Sequence, residues 1–457
     1  MRQWGIRTAS VLAVLAAAQP VPLTVFAQGA PAGTLLTLGV STDLRVNDNL
    51  DLDPVSAGST VSSDTQLSFG LLSETPLSTL SLSGSGLLRA ENEPGTGFAT
   101  GFEDPSVNLS YTRDGANAAF SFEASFDRTE IDGFTLVEDE EIGVSDLILD
   151  TGTRDNYRVG TMLEIGSQAP LGFVLELERR GTMYNGTTDP GLYDRFTDSA
   201  SATAVLRFSP VTTGQASLDV ERFSAEDAVM TTRDTRALRF GLAYELSETT
   251  VIEASLGSSE IDDSVDGVTR GFEAGVTLTH ELPLGAIAVS FNSELTTAGR
   301  RSTLEARRSF IFPAGTFEIS VGAVDGEDAD PQIVGGLTYN RELRTGEISA
   351  SLSRNVSVNV DSNVQKTTRA TLGLSQELNT LSSVAFNLDY IEISDSGGGA
   401  ITGSERGTFS ATYQRDLTED WNLSIGYQRR YLSEAGASDA WDNVVFLTLD
   451  REFSWMP

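Results

Sequence analysis

Ala370-Thr371-Leu372-Gly373-Leu374-Ser375-Gln376-Glu377-Leu378 alternates with a period of two, its even positions mostly apolar and its odd positions polar or small. That period puts alternate residues on opposite faces of an extended strand. Leu372 and Leu374 share one face; Gly373 and Ser375 share the other. The pattern continues outward in both directions. Ala118, Phe120, Phe122, Ala124 and Phe126 share a phase, as do Leu238, Phe240, Leu242, Tyr244 and Leu246. Phe272, Ala274, Val276 and Leu278 repeat it, followed by Ile287, Val289 and Phe291, then Val384, Phe386, Leu388 and Tyr390.

A soluble sandwich alternates as well, with its apolar face inward. Three features favour a membrane-spanning wall instead. The alternating segments run for about nine to eleven residues, the length of a tilted strand crossing a bilayer. Short and long connections alternate along the chain. The second face stays polar throughout, as a wet lumen requires. The expected fold is an all-β transmembrane antiparallel up-and-down barrel.

The short connections set the strand number. They are Glu74-Thr75-Pro76, Arg113-Asp114-Gly115-Ala116, Ser167-Gln168-Ala169-Pro170, Ser209-Pro210-Val211-Thr212, Ser247-Glu248-Thr249, Glu281-Leu282-Pro283-Leu284, Pro313-Ala314-Gly315, Arg344-Thr345-Gly346, Asn379-Thr380 and Leu417-Thr418-Glu419-Asp420. Pro, Gly, Asn and Asp supply the backbone angles of turns. Ten such turns, with both chain ends on one side, give about 22 strands, in a range of roughly 18 to 22.

Composition agrees with one repetitive architecture rather than several soluble domains. The chain has 457 residues with 43 Gly and no Cys, and no linker divides it. Without Cys there is no disulfide framework and no thiolate metal site. A formal charge of -34 excludes nucleic acid as a partner by long-range repulsion. Residues 1–27 read as a cleaved secretory signal. Arg2 and Arg7 precede a short apolar run from Ala9 to Ala18, and Val25-Phe26-Ala27 precedes Gln28. Gln19, Pro20 and Pro22 stop that run before it can span a bilayer. Residues 28–457 then form a single barrel in the outer membrane of a Gram-negative bacterium. Only a few residues separate Gln28 from a first strand near Thr34, so no plug domain is expected.

Chemistry-bearing constellations are sparse. His280 is the only histidine, set in Thr277-Leu278-Thr279-His280-Glu281-Leu282 beside a turn. It reads as an interfacial polar residue, and no enzyme or cofactor is expected. The acidic runs Asp325-Gly326-Glu327-Asp328-Ala329-Asp330, Glu260-Ile261-Asp262-Asp263 and Glu138-Asp139-Glu140-Glu141 are placed in long loops. Such runs suit bridging of hard cations to lipopolysaccharide phosphates or, more commonly, a solvated face. Each of the pairs Arg179-Arg180, Arg300-Arg301, Arg307-Arg308 and Arg429-Arg430 must send one residue into the lumen. There it either sets a transverse field or neutralises carboxylates. Tyr111, Tyr339 and Tyr413 stand in similar contexts, Leu109-Ser110-Tyr111-Thr112-Arg113, Leu337-Thr338-Tyr339-Asn340-Arg341 and Ala411-Thr412-Tyr413-Gln414-Arg415. They are expected in an interfacial aromatic girdle, with the Arg beyond reaching lipid phosphates.

The closing segment carries a resemblance. Val445, Leu447, Leu449, Arg451, Phe453 and Trp455 alternate to the chain end, with Met456-Pro457 following. This resembles bacterial outer-membrane proteins of the porin type, which finish on an amphipathic strand with a terminal aromatic. The resemblance implies that Phe453 and Trp455 form the signal read by the barrel-assembly machinery. It implies outer-membrane lipid and lipopolysaccharide as surroundings, and a homo-oligomer as general porins form. It also implies that the long connection near Thr129 to Asp155 folds inward, placing Glu138, Asp139, Glu140 and Glu141 at a pore constriction. TonB-dependent receptors are set aside for want of room for their plug. The expected function is a porin-like, weakly cation-selective channel for ions or small solutes. The alternative is an exopolysaccharide or polymer export conduit, or a non-conducting structural barrel.

Overall fold

The computed structural model describes residues 33–132, 135–139, 144–148, 150–327, 329–358, 363–395 and 403–456. The expected signal at 1–27 lies outside them.

Among the described residues the chain makes strands almost exclusively. They are β1 (Gly33–Asn47), β2 (Thr60–Thr75), β3 (Ser78–Glu93), β4 (Gly97–Asp114), β5 (Ala118–Asp132), β6 (Thr135–Asp139), β7 (Val144–Ile148), β8 (Thr151–Ile165), β9 (Leu171–Asn185), β10 (Arg195–Ser209), β11 (Thr212–Ala225) and β12 (Thr232–Ser247). The second half follows with β13 (Thr250–Asp263), β14 (Gly267–Leu282), β15 (Gly285–Thr296), β16 (Gly299–Phe312), β17 (Gly315–Gly326), β18 (Ala329–Leu343), β19 (Gly346–Val358), β20 (Val364–Asn379), β21 (Ser382–Asp395), β22 (Ser404–Asp416), β23 (Trp421–Glu434) and β24 (Ala440–Trp455). All but β6 and β7 form one sheet of 22 strands, each antiparallel to the next in sequence. β1 pairs with β24, from Leu36↔Trp455 to Asn47↔Val444, which closes the ring. β6 and β7 form a separate hairpin in the connection between β5 and β8.

The wall is inverted relative to a soluble protein. The exposed side chains are the apolar phase, with Leu38 at 59%, Leu177 at 58% and Phe272 at 77%. The polar phase is the sheltered one: Asp442 is 0% exposed and Asp64 is 7%. A sandwich would bury the first set, because apolar area leaves water on folding. Here the apolar face points out and the polar face points into a lumen. Leu372 is exposed as expected. Its neighbour Gly373 faces Ser349 and Asn387, and Thr371 meets Ser351 hydroxyl to hydroxyl at 2.7 Å.

The ten turns at the rim shared by the chain ends fall at the ten short segments, seven of which carry Pro or Gly. Two require glycine: Gly166 has φ 77° and Gly285 has φ 118°, and a Cβ there would sit against the Leu171 or the Ser309 carbonyl oxygen. The 22 strands of the ring run 12 to 18 residues, longer than the expected nine to eleven. The alternation fades where strands rise beyond the apolar band, because both faces there meet water. For the same reason two expected acidic loops are corrected. Glu260, Ile261, Asp262 and Asp263 end β13, while Asp325 and Gly326 end β17 and Ala329 and Asp330 begin β18.

Candidate functional site: the lumen and its outer mouth

Alternation decides which member of each arginine pair enters the lumen. Arg180 meets Glu178 at 3.0 Å and Glu221 at 3.7 Å, and Arg301 meets Glu294 at 2.5 Å. Arg307 meets Glu305 at 3.2 Å and Glu318 at 3.5 Å. Arg239, also of the inward phase, bonds Asp219 at 2.8 Å and Glu273 at 2.5 Å. Of the two roles expected for these arginines, the contacts favour neutralising carboxylates.

Asp442 was not legible as a special residue. Its carboxylate accepts bonds from the Asn49 backbone N–H at 3.0 Å and from Arg430 Nε at 2.8 Å and Nη2 at 2.6 Å. Arg430 Nη2 also donates to the Leu50 carbonyl at 2.8 Å. Beside this knot Leu52, Leu432 and Ala440 form a small buried apolar cluster. Connection 48–59 is thereby drawn over the mouth, where a cavity of about 350 Å³ is lined by Asp51, Leu52, Asp53, Asp150, Leu432 and Glu434 among others. Burial holds the Asp51 carboxyl above its usual range, with Glu93 and Asp53 adding repulsion. Asp150 behaves oppositely. The Asp189 backbone N–H leads a set of donors that takes its pKa down to about 2, with Thr188 and Thr151 contributing.

The hairpin β6–β7 occupies the same mouth. Cα atoms of β7 lie within 8 Å of β20. β20 stands nine places around the ring from β5 in one direction and twelve from β8 in the other, so the hairpin reaches nearly across. In this part of the wall the inward-phase residues Gln365, Ile391 and Ile393 are 2%, 1% and 4% exposed. Of the residues expected at a constriction, Glu138 and Asp139 belong to β6, in register with Ser145 and Val144. Glu140 and Glu141 lie outside the described residues.

The other expected sites are dispersed. Tyr111, Tyr339 and Tyr413 sit near the ends of β4, β18 and β22 at the short-turn rim. Tyr111 lies 6.3 Å from Phe120 between ring centroids. Phe453 and Trp455 pair with Leu38 and Leu36 at the closing seam. Arg451 lies over Phe453 at 4.2 Å and over Trp421 at 5.0 Å. His280 Nδ1 shares a hydrogen bond with Thr250 Oγ1 at 2.9 Å, consistent with a polar residue near the interface. Among the described residues no group of three or more His, Cys, Asp or Glu is arranged to hold a metal ion.

No family profile and no curated protein sequence matches this chain. Solved structures do. The ferric enterobactin receptor of Pseudomonas aeruginosa (mutant Q482A) superposes with TM-score 0.59 at 10% identity, covering 93% of this chain and 82% of the receptor. The siderophore receptor PirA of Acinetobacter baumannii gives 0.58 at 8% identity, covering 93% and 81%. The copper transporter OprC gives 0.55 at 13% identity, covering 93% and 82%.

These matches correct two expectations. The barrel is not assigned to the plug-free porin class. That expectation rests only on the few residues before the first strand, whereas 22-stranded outer-membrane transporters are barrels with a plugged lumen. The passive, cation-selective porin function falls with it, because the matched proteins are receptors and a copper transporter. What remains firm is architectural: the chain is a 22-stranded outer-membrane β-barrel.

Proposed function

We propose that this chain is the wall of an outer-membrane transporter that takes up a bound ligand and is closed to free diffusion. The carrying observation is the likeness of the whole 22-strand ring to siderophore and copper receptors across 93% of the chain. The hairpin lying across the mouth supports closure. The connections 48–59, 94–96, 133–150, 186–194, 226–231, 264–266, 297–298, 327–328, 359–363, 396–403 and 435–439 contain no Lys or Arg. A face of that sign repels anions, so the ligand is neutral or cationic. In this reading Glu138 and Asp139, on β6, belong to the hairpin at the entrance. Phe453 and Trp455 serve assembly, Tyr111, Tyr339 and Tyr413 sit at the lipid interface, and no residue is catalytic.

Planar bilayers test the proposal. Wild-type protein is expected to be electrically silent. A variant with residues 134–148 replaced by a Gly-Ser linker is expected to conduct. Steady open conductance from the wild type sinks the reading, as does silence from a folded linker variant.

A further inference from the structure

The outer surface carries a row of charge where apolar residues would continue. Arg179 on β9 is in register with Asp198 on β10, which is in register with Arg222 on β11, itself opposite Asp234 on β12. One step along β12, Arg236 is opposite Glu260 on β13, which is opposite Arg270 on β14. The row therefore crosses six strands. Each Arg stands two residues beyond an exposed apolar side chain of the same face: Leu177, Val220, Leu238 and Phe272. That spacing puts the guanidinium groups at the edge of the lipid-facing band, on the side of the long connections.

These groups are well supplied with unused donors. Their side chains are between 57% and 73% exposed. Arg179 meets Asp198 at 3.4 Å and the Tyr157 hydroxyl at 3.3 Å. Arg222 meets Asp234 at 3.9 Å, Arg236 meets Glu260 at 3.9 Å and Arg270 meets Glu260 at 2.5 Å. A guanidinium has five N–H donors, and exposed pairs of this kind hold weakly. Four arginines face three carboxylates in the row, with Asp262 one step further from the band, in a chain whose overall charge is -34. Elsewhere at this end outward apolar residues remain, as at Val46, Val61, Phe98 and Trp441, and the outward arginines Arg354 and Arg429 stand on other strands, outside this row.

We infer that Arg179, Arg222, Arg236 and Arg270 form a seat for the phosphates of an outer-leaflet lipid. The apolar residues below hold the acyl chains, and guanidinium groups bind phosphate oxygens by charge-assisted hydrogen bonds. This rests on the membrane-spanning barrel and not on ligand uptake.

Native mass spectrometry of the full chain in neutral detergent tests it, with diphosphoryl lipid A and its dephosphorylated form as probes. The wild type is expected to retain the phosphorylated lipid and release the other. The variant R179Q/R222Q/R236Q/R270Q should lose about tenfold in retention, worth about 1.4 kcal/mol. The far-wall variant R354Q/R429Q should retain the lipid. Equal retention of both lipids, or by the quadruple variant, overturns the seat. Displacement by millimolar inorganic phosphate also overturns it, since the ligand is then a free anion. Heat-dependent gel migration of each sample reports the barrel itself, so its failure is read separately. If the quadruple variant does not fold, R222Q and R236Q singly should each weaken retention, and no loss in either refutes the seat.

Discussion

Single positions show the inverted logic of the wall most directly. Leu372 and Ser375 lie three residues apart on one strand, with opposite phases. An Arg at the bilayer midplane of the lipid face costs roughly 2–4 kcal/mol, whereas an Arg in the lumen meets water and acids. Leu372→Arg should therefore cut the yield of folded barrel strongly, and Ser375→Arg should leave it near wild type. Outer-membrane yield and heat-dependent migration measure this. The reverse order would mean that the apolar face points inward. The lumenal arginines follow the same rule from the other side: Arg180, Arg301 and Arg307 find carboxylates because cross-strand neighbours of the polar phase face the same interior.

At the scale of elements, the connection that leads out of the hairpin is pinned by one carboxylate. Asp150 accepts bonds from the Thr188 N–H at 2.6 Å, the Asp189 N–H at 2.8 Å and the Thr188 hydroxyl at 3.0 Å, tying it to segment 186–194. Its folded-state pKa lies below the ordinary 3.8, at about 2. The group therefore stabilises the clamp above pH 3.8, and the contribution is lost as pH falls toward 2. Amide exchange in 186–194 should be unchanged between pH 5 and 8 after intrinsic-rate correction, and should accelerate between pH 4 and 2. Asp150→Asn should show the faster exchange already at neutral pH. Equal protection in the variant would remove Asp150 from the clamp.

For the whole molecule the vulnerable place is the seam where the last strand meets the first. Backbone pairing closes it along β1 and β24, and the buried Asp442 pins its outer end to Arg430 and to the connection after β1. Asn443 adds to the seam by donating from its backbone and side-chain nitrogens to Asp48, each at 2.7 Å. Removing one partner of a buried pair strands the other charge, at a cost of about 3–5 kcal/mol. Asp442→Ala should lower the urea midpoint accordingly, and Arg430→Met with Asp442→Leu should recover most of it. A full-stability Asp442→Ala barrel would show that the pin contributes nothing to closure.

The sequence by itself determined the period, the faces and the ten tight turns. These depend on neighbours in the chain: a strand sets side-chain direction every residue, and Pro or Gly sets turn angles locally. Alternation read at Leu372 and Ser375 therefore transferred directly to the wall. Only the tertiary structure decided the rest. Strand length beyond the apolar band left no pattern to read, so Glu260 and Asp263 looked like loop residues. The knot at Asp442 joins residues almost the whole chain apart, and the hairpin meets a strand nearly across the ring. The row from Arg179 to Arg270 exists only through the register of six strands, because a period of two says which face a residue takes but not which residue stands beside it.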